Sequence, residues 1–113
     1  AEVMLEACDV ADEQEVRRML DRVRARFGQV RWVVHAAGIA LQQDPGLMEA
    51  VFKPKCEGAW NMHRHTLQDD IEEFWLFSSL SGGVGSEQMH NYAAANTYLD
   101  GLASFRRADG LPA

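Results

Sequence analysis

The residues best able to do chemistry lie in one short run. Tyr92 and Asn96 are four apart in the stretch Asn91, Tyr92, Ala93, Ala94, Ala95, Asn96, so on a helix they share a face. The three alanines between them keep that face low enough for a flat ligand to lie against it. Ser79 precedes Tyr92 by thirteen residues, across a glycine-rich stretch that can fold its hydroxyl back beside the phenol. Taken alone, a tyrosine on a helix reads as an amphipathic core residue. Its conjunction with Ser79 and with the small-residue turn Ala36, Ala37, Gly38 points instead to hydroxyl donors beside a ligand. A free phenol titrates at about 10, and an ammonium beside it favours the charged form. That moves such a group toward working pH, where it can exchange a proton with a reacting oxygen.

Alternating elements must position these groups. Residues 3–8, 30–35 and 73–78 read as short, largely apolar strands. Asp12, three residues before Glu15, makes a capping-box-like helix start. Val16, Met19, Leu20, Val23 and Phe27 follow at helical spacing, and Gly28 closes that helix. Asp44 and Pro45 read as an N-cap followed by Pro at the first helical position. The helix they open is expected to bend or break at Pro54 and to resume through Cys56, Ala59, Trp60, His63 and Leu67. A loop covers residues 81–85. The last helix runs from about residue 91 to about residue 108, stopped by Gly110 and Pro112. Strands alternating with helices imply right-handed βαβ units. The fold class is therefore α/β, a partial Rossmann-like, doubly wound parallel sheet of about three strands with their crossover helices, covered on both faces. Ligands of such sheets bind beyond the carboxyl ends of the strands. Those ends here are Asp9, then Ala36, Ala37 and Gly38, then Ser78 and Ser79, all polar or small.

Composition narrows the function. With 47% hydrophobic and 25% charged residues in 113, the chain falls in the soluble globular class and outside the collagen-like and disordered ones. A net charge of −6 argues against non-specific nucleic-acid binding. No apolar run approaches a membrane span, and the start lacks a signal-peptide pattern. Cys8 and Cys56 match no zinc or redox spacing, which implies a reduced, cytoplasmic setting. His63 and His65, two apart, point to different helix faces and make no metal pair. Cys56 reads as a small packed residue, His35 as structural, and Trp32, Trp60 and Trp75 as core.

Several stretches together resemble one family. They are Val33, Val34, His35, Ala36, Ala37, Gly38; Pro54 and Lys55 with Gly58, Ala59, Trp60; Phe77, Ser78, Ser79; the Asn91 to Asn96 run; and Arg106, Arg107 through Gly110, Leu111, Pro112, Ala113. In order and spacing they are similar to the short-chain dehydrogenase/reductases, and within these to the ketoreductase domains of type I polyketide and fatty acid synthases. Ordinary members carry Lys four residues after the Tyr. The synthase branch carries Asn there and brings the Lys from an earlier helix, which is the pattern of Asn96 and Lys55. The resemblance implies NADPH-dependent reduction of a β-ketoacyl thioester to a β-hydroxyacyl thioester, the substrate being held on the phosphopantetheine of an acyl carrier protein domain. It implies Tyr92 as general acid and Ser79 as a second donor to the ketone oxygen. Lys55 would provide the ammonium and bind the nicotinamide ribose, and Asn96 would position Lys55 or a water. It further implies that Ala36, Ala37 and Gly38 pass under the cofactor and that Asp9 and Val10 border its adenine. Other synthase domains are the implied partners.

The same resemblance makes residues 1–113 the central, catalytic part of a ketoreductase domain. It starts at what would be the third strand and stops where the sixth should begin, without the N-terminal Gly-rich cofactor motif or the C-terminal strands. On that expectation the segment by itself binds NADPH negligibly and shows no ketoreductase activity. The Leu-Asp-Asp marker that goes with one alcohol configuration is absent from residues 39–44. The Trp marker that goes with the other is replaced by Val84, so the stereochemical outcome stays open. A free-standing short-chain reductase of a small carbonyl compound and a non-catalytic structural fragment are the alternative readings.

Overall fold

The structure is a computed structural model describing residues 1–39, 47–79 and 90–113. Asp44, Pro45, the 81–85 loop and Val84 lie outside the described residues. Helix α1 spans Glu13–Phe27. The Asp12 carboxylate accepts hydrogen bonds from the backbone N–H of Gln14 and Glu15, satisfying donors that a first helical turn leaves open. Glu15 reaches back as a capping box would, but it accepts from the Asp9 N–H rather than from Asp12. Gly28 ends the helix at φ +84° and donates its N–H to the Arg24 carbonyl.

Strand β1 (Trp32–His35) pairs in parallel with β2 (Glu73–Leu76), with Val33 opposite Phe74 and His35 opposite Leu76. Between them the chain forms α2 (Met48–Phe52), one wide helical turn over Lys53–Glu57, and α3 (Gly58–His65). The expected break at Pro54 is thus a π turn and not an interruption. Proline has no N–H, and its ring collides with the carbonyl four residues back; a wider turn relieves both conflicts while the chain keeps its direction. Helix α4 (His90–Ala108) ends in a Schellman motif. There the Leu111 N–H bonds to the Arg106 carbonyl and the Gly110 N–H to the Arg107 carbonyl, with Gly110 at φ +75°.

Two expectations need correction. Residues 3–8 form no strand. A strand exists through its ladder, and β1 and β2 pair only with each other among the described residues. The segment instead runs back along α1, with Glu2 paired to Arg26 and Glu6 to Arg22, and leaves Val3 77% and Leu5 92% exposed. The three tryptophans are also not core, Trp32 being 57%, Trp60 40% and Trp75 49% exposed. Strand side chains alternate between faces. Val33 and Phe74 point into the helical layer, while Trp32 and Val34 with Trp75 point to the opposite face.

The helical layer forms the core. Helix α3 packs on β1, α4 on β2, α2 on α4 and α1 on α3. Val51, Cys56 and Ala95 cluster with Phe52 and Tyr92. Ala59, Leu99 and Leu102 cluster with Leu76.

Candidate active site

The wide turn turns Lys55 inward. The side chain is only 5% exposed, and its ammonium donates to Asn96 Oδ1 at 2.5 Å and to the Phe77 carbonyl at 2.8 Å. The same Nζ stands 5.0 Å from the centre of the Tyr92 ring, within the range of a cation–π attraction. Lys53, two residues earlier, is exposed and pairs with Glu49 on the preceding turn. Burial holds the Lys55 amine below its ordinary value, opposed by the negative charge of Asp100. Asn96 is fully buried, so its amide and the ammonium are locked together away from water.

Strand β2 supplies the other wall. Past its end, Phe77 offers its carbonyl to Lys55, and the Ser78 hydroxyl donates to the Asn96 backbone carbonyl at 3.2 Å. Ser79 follows directly, half-buried, at the carboxyl end of the strand. From β1, Ala36, Ala37 and Gly38 leave the sheet on the same side. Gly38 passes the lysine stem so closely that a Cβ would lie 3.0 Å from Lys55 Cε and 3.2 Å from Cγ. That close approach is a reason for glycine there. Val10 lies against Gly58, where a Cβ would come within 2.7 Å of its Cγ2. Its carbonyl accepts from the Asn61 side chain at 3.0 Å. The Asp9 carboxylate accepts from the Ala11 N–H.

The structure therefore brings Lys55, Asn96, Tyr92 and Gly38 to one place, with Ser79 on the strand end that borders it. Asp9 and Val10 sit on the far side of Gly58. Cys56, beside Lys55, is buried, and burial pushes its thiol up to about 11, which suits packing and not nucleophilic attack. The two histidines diverge. His63 lies against Trp60 and Phe105 and accepts from Arg106 at 2.7 Å, whereas His65 meets Glu13. Sequence reasoning missed the Phe77 carbonyl and the Ser78 hydroxyl as supports of the site. A backbone carbonyl leaves no trace in side-chain type, and Ser78 was masked by its neighbour Ser79.

A family profile described as the KR domain matches residues 1–113. The chain is 43% identical over 116 residues to the phenolphthiocerol synthesis polyketide synthase type I Pks15/1 of Mycobacterium marinum, covering 98% of this chain and 6% of that protein. It is 43% identical over 118 residues to polyketide synthase GfsB of Streptomyces halstedii, covering all of this chain and 2% of that protein.

The chain belongs to the KR domain family.

Within it, the KR chain is similar to a solved structure of A-type ketoreductases from a modular polyketide synthase, at TM-score 0.90 and 35% identity. That match covers 98% of this chain and 24% of the other. An N-terminal ketoreductase from the macrolactin assembly line gives TM-score 0.93 at 26% identity over 99% of this chain and 24% of that one. These likenesses place the KR chain among the polyketide-synthase ketoreductases of the short-chain dehydrogenase/reductase superfamily and give it the Rossmann-like α/β fold that alternation implied. The KR chain spans a few per cent of the curated relatives' length and about a quarter of the solved ketoreductases'.

Proposed function

We propose that this chain carries the catalytic centre for reducing a β-ketoacyl thioester to a β-hydroxyacyl thioester with NADPH, on an acyl group presented by an acyl carrier protein domain of a multidomain synthase. The observation that carries the reading is the buried Lys55 ammonium bound to Asn96 Oδ1 with the Tyr92 ring 5.0 Å away. A buried cation on a neutral amide, next to a phenol, is poorly explained by stability alone, since burying a charge is costly unless it does something.

The residues present suit a dinucleotide. The backbone from Ala36 to Gly38 is free of bulk at the carboxyl end of β1, and Lys55 offers a cation there to hold a ribose. When bound, the nicotinamide supplies hydride to the substrate carbonyl carbon. Tyr92 then donates its hydroxyl proton to the carbonyl oxygen as negative charge develops, and Ser79 steadies that oxygen with a second hydrogen bond. Lys55 holds positive charge beside the tyrosine, and Asn96 fixes the lysine's direction.

The test is Tyr92→Phe in the full polypeptide, following NADPH consumption with a β-ketoacyl thioester. Turnover should fall by orders of magnitude with NADPH affinity nearly unchanged, because only the proton donor is removed. Retention of most of the ketoreduction would sink the proposal.

A further inference from the structure

We propose that His35 is a positioning residue for Lys55, its ring Nε2–H holding the lysine's own carbonyl and so fixing the wide turn that sends the ammonium inward. The consequence for turnover rests on the function proposed above; the geometric claim does not.

His35 is the last residue of β1, and its side chain is buried. Nε2 lies 3.1 Å from the Lys55 carbonyl oxygen. A carbonyl can only accept, so that nitrogen carries the proton. The bond matters because of what the π turn does to its carbonyls. The Gly58 N–H is shared between the Lys53 and Lys55 oxygens, and the Lys55 oxygen accepts the His35 ring N–H as well. Pro54 explains why the helix departs from α geometry, but proline says nothing about which way the next side chain points. His35 does, because it grips the peptide of that residue.

Two further contacts close a ring. The His35 carbonyl accepts the Phe77 N–H at 3.1 Å, and the Phe77 carbonyl accepts the Lys55 ammonium at 2.8 Å. One strand-end residue thus fixes Lys55 from both ends, directly at its backbone and through Phe77 at its charge. Gly58 makes room for the imidazole, since a Cβ there would stand 3.0 Å from His35 Cε1. The groups facing the ammonium are Asn96, Asp100 and Tyr92 from α4, the Phe77 carbonyl from β2 and Cys56 from its own turn. Burial holds the imidazole below its ordinary value, aided by the Lys55 charge and opposed by hydrogen bonds to the Lys55 and Pro54 carbonyls.

The experiment labels the full polypeptide with an amine-acetylating reagent, well below its melting temperature, and reads Lys55 and Lys53 separately by mass spectrometry. Lys53, exposed, is the internal standard. His35→Leu should raise Lys55 labelling about tenfold relative to Lys53, as expected for loss of one buried hydrogen bond. His35→Gln, whose amide can donate to the same carbonyl, should keep Lys55 protected. If His35→Leu does not fold, His35→Ala, which removes the ring donor without introducing a new clash, takes its place with the same expected labelling. Protection of Lys55 in the Leu or Ala variant, or its loss in the Gln variant, would overturn the proposal. A purely structural His35 would lower the melting temperature and leave the Lys55 to Lys53 ratio alone. With NADPH and a β-ketoacyl thioester, kcat should follow the labelling, low in Leu and restored in Gln, with KM little changed. Labelling that shifts while kcat does not would support the geometry and count against the proposed function.

Discussion

Two lysines, two residues apart, meet opposite fates, one solvated and one buried. Lys53 points to solvent and pairs with Glu49 one turn earlier, an exposed arrangement that water and salt screen. Lys55 is held by an amide and a carbonyl and faces the Tyr92 ring. Lys55→Ala should therefore damage both NADPH affinity and turnover, while Lys53→Ala leaves both close to wild type. Titration with NADPH and steady-state rates in the full polypeptide decide it, and a sensitive Lys53 would reverse the assignment. This pairing was legible only through the family resemblance, whose Pro-Lys and Tyr-to-Asn positions Lys55 and Asn96 match. The role of Arg106 was not legible. Its guanidinium is buried 3.7 Å from the Phe74 ring centre, donating to the Pro112 carbonyl and to His63 Nδ1. Phe74 and His63 are brought to it by tertiary folding, and Pro112 by the chain's turn past the helix end.

Elements fold as the pattern expects wherever their signals are local, and depart from it where partners are remote. The cap at Asp12, the stop at Gly28 and the Gly110 end of α4 each depend on residues within a turn of the helix end. The segment 3–8 has strand composition, but composition cannot supply the neighbour that a ladder requires. Between elements, the main latch is polar. Asp69, its side chain 2% exposed, accepts from Arg24 Nε at 3.1 Å and Nη2 at 2.6 Å and from the Val30 N–H at 3.2 Å. Arg24 also donates to the His65 carbonyl at 2.6 Å. One carboxylate thus joins the end of α1, the approach to β1 and the end of α3. Its hydrogen bond to Arg24 holds the carboxyl below the usual aspartate range. A depressed folded-state value stabilises the fold above the unfolded value of about 3.9, and that stability is lost as pH falls through the lower folded value. Asp69→Ala should cost about 3 kcal/mol, the low end for breaking a buried pair because Arg24 keeps some solvent. It should also flatten the dependence of stability on pH below about 4. Urea midpoints of the full polypeptide at pH 7 and at about pH 3 test both, and unchanged midpoints would show the latch to be idle.

Seen whole, the 113-residue chain has one finished side. Its helices bury one face of the sheet, while Trp32, Val34, Trp75 and Phe77 lie between 49% and 57% exposed. On the other face, the Trp32 and Trp75 rings stand 6.1 Å apart. Their indole N–H groups are turned to carboxylates, Trp32 to Glu72 and Trp75 to Glu73, which leaves the ring faces as apolar surface. A groove of about 950 Å³ runs from β2 to the outer side of α4, lined by Phe74 to Ser79, Asp100 and Arg107 among others. The accessible surface is 7177 Å², against roughly 6200 Å² for a compact chain of this mass. Sequence pattern read Trp32 and Trp75 as core because it cannot show which face of a strand meets a helix. Fully burying a large apolar side chain gives about 1.5–3 kcal/mol, so four half-exposed ones leave several kcal/mol available to whatever covers them. The isolated 113-residue polypeptide should therefore self-associate, sedimenting as a mixture whose mean mass rises with concentration. Trp32→Thr with Trp75→Thr keeps strand propensity and removes the two largest rings, so it should shift the mixture toward monomer. A wild-type chain that stays monomeric across a hundredfold concentration range would mean that this face is not sticky in water, and the argument from exposed area would fail.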